Sequence, residues 1–240
     1  MNKYRLPLVY LAMDFTRQDD MLRAADLIAP VQGDFGFKVN DDYVTSRTPQ
    51  GAIADLAPYS KNLFVDYKLM KGGTRMKNQV LELGSIGHVN FTNIYVLAGP
   101  LLEKTIKKTQ DCGVGILGIT VLTHFDEDYC QLFFKRSLVE TVKLMTEYAY
   151  KSSCPGVILP GNCLEAVKHI PIHKVSPGVR PSWYVGKKPN QQAQEVEPAT
   201  IIKAGGNTAV VGSPVWDTPD PVESLKRILD EMGEAKARLT

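Results

Sequence analysis

The chain has 240 residues, 44% of them hydrophobic, with 28 Lys and Arg against 26 Asp and Glu. That composition supports a sizeable core, and the near-neutral balance excludes the basic arm or tail of a general nucleic-acid binder. Four cysteines without CxxC spacing, no signal-peptide pattern and no apolar run of membrane-spanning length predict a soluble cytoplasmic protein without a metal site or disulfide framework.

Apolar runs alternate with amphipathic segments from end to end. Strand-like runs fall at 6–14, 34–39, 62–67, 88–92, 115–122, 155–159, 173–177 and 208–212. Helical spacing covers 19–29, 75–84, 99–110, 135–151 and 221–236. The first helix opens on Asp19 and Asp20 and repeats Met21, Leu22, Ala25 and Ile28 at helical intervals. The last opens on Asp220-Pro221, a capping residue followed by proline in the first turn. The stretches after the second and sixth strands carry no clear helical signal. Eight strands, each followed by a helix or loop, predict a (β/α)8 TIM barrel, a single domain over 1–240. An open doubly wound sheet needs a Gly-rich turn after its first strand, where this chain reads Asp14-Phe15-Thr16-Arg17. The one long irregular segment, 176–198, holds Trp183, Tyr184, Lys187, Lys188, Gln191 and Gln192; a loop of that length in a compact domain is commonly functional.

The candidate chemistry sits at strand ends. Asp66-Tyr67-Lys68 closes the apolar run Leu63-Phe64-Val65, and side chains two apart on a strand share a face. A carboxylate and an ammonium are therefore expected to leave that strand together. Lys38 ends the preceding strand-like run and Asp14 the first one. Three consecutive strands thus deliver charge to the C-terminal end, where α/β folds place their chemistry. His124, just past the fifth strand, is an acid–base candidate or a surface histidine. Asp126, Glu127 and Asp128 fit a divalent-ion site or the acidic start of a helix. His88 belongs to the opposite face, and His169 and His173 flank a Pro-containing turn without a third ligand.

Six segments occur in order: Leu11-Ala12-Met13-Asp14-Phe15, Phe37-Lys38-Val39, Phe64-Val65-Asp66-Tyr67-Lys68, Ile119-Thr120-Val121-Leu122-Thr123, Val175 to Pro181, and Val210-Val211-Gly212. Together they resemble the strand endings of the orotidine 5′-monophosphate decarboxylase family over nearly the whole chain. The resemblance implies decarboxylation of a pyrimidine nucleotide, orotidine 5′-monophosphate to UMP, by a homodimer that uses no metal or organic cofactor. It implies that Lys68 protonates the carbon that loses CO2 and that Asp66 lies against the departing carboxylate. Lys38 would hold the charge network and touch the ribose, and Asp14 would bind a ribose hydroxyl. Thr123 would contact substrate and Pro177 would lie near the base. Gln192 and the backbone at Gly212 would hold the phosphate.

Two stretches depart from that family. Its motif D-x-K-x-x-D-I-x-x-T has Lys71 at the second aspartate, Gly72 at the isoleucine and Arg75 at the threonine. Its Gly-Arg after the eighth strand is Gly212-Ser213 here. In the family the second aspartate completes the neighbouring subunit's site. Lys71, as a catalytic group, and Arg75, as a substrate ligand, would then enter the partner's site, either with one lysine neutral as a base or nucleophile or with a more acidic substrate; the alternative is that both point to solvent after the flexible Gly72-Gly73 turn. Lys187 or Lys188 would offset the arginine missing at Ser213. The alternatives are a related barrel lyase or aldolase acting on a sugar phosphate or other phosphorylated substrate, and a catalytically retired nucleotide-binding barrel. Lys71 argues against a magnesium-holding relative, because an ammonium replaces an oxygen ligand. The intact Asp14, Lys38, Asp66 and Lys68 argue against retirement.

Overall fold

A computed structural model describes residues 4–60, 62–184 and 196–239. Eight parallel strands close into a barrel in chain order. They are β1 (Val9–Met13), β2 (Phe35–Asn40), β3 (Leu63–Leu69), β4 (Val89–Tyr95), β5 (Gly115–Ile119), β6 (Gly156–Ile158), β7 (His173–Ser176) and β8 (Thr208–Val211). β8 pairs back onto β1, so the sheet has no open edge. The expected (β/α)8 barrel is the observed fold, and its eight strands fall on the eight apolar runs.

Period-two alternation gives each strand an inner and an outer face. On β1, Val9, Leu11 and Met13 face outward into the core shared with the helices. Tyr10 and Ala12 face inward, where Phe64, Phe91, Leu117, Val175 and Val210 complete an apolar plug. Each such ring or branched side chain contributes about 1.5–3 kcal/mol by leaving water. Gly36 on β2 makes room for this packing. A Cβ there would collide with the Asn62 carbonyl and stand 3.1 Å from the Tyr10 ring.

The helices form where capping chemistry starts them. Helix Pro221–Ala237 begins on Asp220, whose carboxylate accepts the Glu223 N–H at 3.0 Å. Helix Leu138–Lys151 begins later than the spacing at 135 predicts. Lys135 takes a left-handed conformation (φ 56°) that ends helix Glu127–Phe134, and a capping box between Ser137 and Glu140 starts the next one. After β2 come two short helices, Asp41–Arg47 and Pro49–Leu56, capped by Asn40 and Thr48. After β6 there are only two single 3₁₀ turns, Gly161–Cys163 and Glu165–Val167. Segments this short carry little periodicity, which is why neither reads as a helix in sequence. No helix among the described residues is long and apolar enough to cross a membrane.

Candidate active site

One inward step beyond the apolar plug, the lining turns polar on β2, β3 and β4. Gly36 is followed by Lys38, Phe64 by Asp66, and Phe91 by Asn93. All three polar residues border a cavity of about 260 Å³ at the C-terminal mouth of the barrel. Asp14, just beyond β1, and Lys68 border it as well. The four charged residues expected from the sequence are therefore brought together.

Their contacts form one chain. Asp14 Oδ1 accepts from Lys38 Nζ at 2.9 Å. Lys38 Nζ lies 3.3 Å from Asp66 Oδ2, and Lys68 Nζ donates to the same oxygen at 2.8 Å. Asp66 and Lys38 are buried, 7% and 8% exposed, whereas the Lys68 side chain is 41% exposed toward the cavity and solvent. Burial opposes the Asp66 carboxylate, but Lys38, Lys68 and the hydrogen bonds from Lys68 and Asn93 outweigh it. Its pKa is held below the ordinary carboxylate value. Burial likewise opposes the Lys38 ammonium, and Asp66 and Asp14 outweigh it, so its pKa is raised. Asp66 and Lys38 are thus both ionised across the physiological range.

The route by which Lys68 reaches Asp66 differs from simple strand alternation. β3 pairs with β4 at Val65–Thr92 and next at Leu69–Ile94, so β3 carries two extra residues between those rungs. Lys68 sits in this bulge with φ +48°. A bulge re-aims side chains and sharpens the local bend. The D-x-K pair converges because the strand is broken there, not because it is regular.

The other wall comes from β5, β7 and β8. Thr123 and the exposed His124 follow β5, Pro177 and Arg180 follow β7, and Gly212 and Ser213 follow β8; all six line the cavity. Arg180 also packs its guanidinium 5.6 Å from the centre of the Tyr184 ring. Neither Arg180 nor Asn93 is among the residues singled out from sequence, and both belong to the lining. The signal for Asn93 is an amide at the inward position two residues after Phe91, just past the point where the strand predicted over 88–92 stops. The signal for Arg180 is its place in Pro177-Gly178-Val179-Arg180, within the segment Val175 to Pro181 that carries part of the resemblance.

Other sequence candidates lie elsewhere. Lys71 and Arg75 are exposed and do not line the cavity of their own chain; Lys71 Nζ meets Gln79 Oε1 at 3.4 Å. Gln192, Lys187, Lys188 and Gln191 lie outside the described residues. Trp183 is turned to the last helix, with Nε1 donating to Glu231 Oε1 at 2.6 Å. The acidic run at 126–128 is a helix start. Asp126 caps the Tyr129 N–H at 3.0 Å, and Glu127 accepts the Leu138 N–H at 2.8 Å.

A family model described as Orotidine 5'-phosphate decarboxylase / HUMPS family matches residues 7–228. The chain belongs to that family. Among its relatives, an orotidine 5'-phosphate decarboxylase of Paramagnetospirillum magneticum is 29% identical, with 94% of this chain and 98% of the relative covered. One of Rhodopseudomonas palustris is 32% identical, over 72% of this chain and 73% of the relative. The crystal structure of orotidine 5'-phosphate decarboxylase from Lactobacillus acidophilus superposes with a TM-score of 0.78 at 21% identity, covering 94% of this chain and 99% of that one. An uncharacterized conserved protein from Geobacillus kaustophilus gives 0.76 at 21% identity, over 93% and 99%. Membership of the orotidine 5'-phosphate decarboxylase / HUMPS family fits a decarboxylase-type lyase on this barrel.

Proposed function

We propose that this protein decarboxylates a pyrimidine nucleotide, orotidine 5′-monophosphate or a close analogue, as a homodimer. The observation that carries the reading is Asp66 Oδ2, shared by Lys38 and Lys68 at 3.3 and 2.8 Å beside a cavity large enough for the reacting part of a nucleotide. The substrate's C–C bond to its carboxylate breaks, CO2 leaves, and the electron pair stays on the ring carbon. The Lys68 ammonium stabilises that developing charge and then gives the carbon its proton. Lys68 regains a proton from solvent, to which its side chain is open. Asp66 stands against the departing carboxylate and raises its free energy, while Lys38 keeps Asp66 ionised and in place. Asp14 binds a ribose hydroxyl, Thr123 and Pro177 take the base, and Arg180 with the Gly212–Ser213 backbone takes the phosphate.

The dimer reading draws on the surface beside the mouth. Met70, Leu97 and Leu101 are exposed large apolar residues on the stretches after β3 and β4. Lys71 and Arg75 are on that same rim, positioned to meet a second copy. An ultraviolet assay of orotidine 5′-monophosphate loss tests the function. Turnover that disappears in Lys68→Ala supports it. No turnover by wild-type protein would overturn the substrate and move the assignment to another phosphorylated carboxylate. A monomer in sedimentation at micromolar concentration would overturn the dimer.

A further inference from the structure

The bulge in β3 leaves a gap in the ladder, and one side chain fills it. Asp66, Tyr67 and Lys68 all lie between the rungs Val65–Thr92 and Leu69–Ile94, and Asn93 is the only β4 residue opposite them. Asn93 is 1% exposed. Its Oδ1 accepts the backbone N–H of Lys68 at 2.6 Å, and its Nδ2 donates to Asp66 Oδ1 at 2.6 Å. One planar amide therefore holds the main chain of the lysine and the side chain of the aspartate at once.

Both bonds bear on the ion cluster. Lys68 is a non-glycine residue at φ +48°, a conformation that persists only when the surroundings over-determine it. Its N–H has a side-chain acceptor where a regular strand would offer a carbonyl. Asp66 has one oxygen committed to Asn93, so the other is presented to Lys38 and Lys68. Without the amide the carboxylate is free to rotate away from that shared position. We propose that Asn93 is the positioning residue of the cluster, setting the backbone turn that aims Lys68 and the rotation of Asp66 between the two lysines. The chemistry requires an uncharged group with a donor and an acceptor on one rigid plane. Leucine of similar size has neither, and an ionised aspartate has no donor and would repel Asp66.

The effect on turnover rests on the decarboxylase reading above, so the test has an arm that needs no substrate. Amide hydrogen exchange is followed at Val65, Lys68 and Leu69 in wild type, Asn93→Ala and Asn93→Asp. In the alanine variant the Lys68 amide is expected to exchange at least about tenfold faster while Val65 and Leu69 keep their protection. In the aspartate variant it stays protected, because the acceptor remains. In turnover, Asn93→Ala is expected to lose roughly 100-fold in kcat with KM changed by less than about threefold, the pattern of a misaimed group. Asn93→Asp is expected to be as slow at neutral pH and to recover as pH falls, since the protonated new carboxyl donates to Asp66 Oδ1. A purely structural residue would lower stability in both variants and give no recovery at low pH. Unchanged Lys68 protection in Asn93→Ala, or kcat within about twofold of wild type, overturns the proposal. If wild-type protein shows no turnover, the exchange arm still decides on Asn93 while the substrate reading fails separately. Should the alanine variant not fold, Asn93→Ser carries the same exchange measurement.

Discussion

The barrel buries two lysines on its strands, and they differ in everything except burial. Lys38, 8% exposed at the mouth, is held between the carboxylates of Asp14 and Asp66, and its pKa is raised. Lys174, 4% exposed near the opposite end, donates to the carbonyls of Ile170 and Ile172 at 2.8 and 3.1 Å. Burial lowers its pKa, with no carboxylate to offset it. Beside it, His173 Nε2 meets Thr208 Oγ1 at 2.8 Å, and that hydroxyl donates to the Pro7 carbonyl. His173 must therefore donate, which fixes the Nε2–H tautomer. A buried charge is thus not by itself a sign of chemistry. The mouth gathers opposed charges around a cavity, whereas the floor spends its polar groups on tying loops to strands.

The contrast breaks if either end does the other's work. The largest expected effect is at the mouth. Lys68→Ala should reduce kcat by ~10³-fold or more, since the proposed general acid and a fixed cation are lost together. Its urea midpoint should stay close to wild type, because the side chain is partly exposed. A rate within about tenfold of wild type, only ~1.4 kcal/mol, would remove Lys68 from the chemistry.

The next effect is at the floor and concerns stability alone. Burial, helped by Lys174 and Lys236, depresses His173 to about 4 from an ordinary 6.5. The unfolded chain then binds the proton more readily, so stability is fully present above pH 6.5 and is lost as pH falls toward 4. The loss approaches ~3 kcal/mol. His173→Gln keeps the donor to Thr208 and cannot titrate. Its urea midpoint should fall less than that of wild type between pH 7 and pH 4, with turnover at pH 7 unchanged. Equal acid sensitivity in the two proteins would show that other groups set it.

The smallest effect sharpens the picture of the mouth itself. Ser213 borders the cavity, at the position where the resemblance leads one to expect an arginine. Ser213→Arg should lower KM for orotidine 5′-monophosphate by about tenfold, the lower end of what a charge-assisted phosphate contact contributes. Initial rates across substrate concentration decide it. An unchanged KM would mean that the phosphate is not held at that wall.

Much of this was readable from sequence because it is local. Eight apolar runs mark eight strands, and Asp14, Lys38, Asp66 and Lys68 each stand at the end of one. What was hidden is relational. The bulge exists only in the register of β3 against β4, and no window on Leu63–Leu69 contains it. Asn93 reads as a poor strand former, and the predicted strand stops at 92 although β4 continues to Tyr95. Its role appears only once Asp66 and Lys68 are seen across from it. The capped helix at Glu127–Phe134 was masked by acids that serve ion binding and helix starts equally well.

The break in β3 has a mechanical corollary. Pairing with β4 lapses after Val65 and resumes at Leu69, so the rim that follows is anchored to β4 separately from the segment that carries Lys68. Substitutions at Lys71, Gly72 and Arg75 are expected to alter the rim without sliding Asp66 or Lys68 along the barrel. Either half of the stretch 66–75 can then be altered while the other keeps its register.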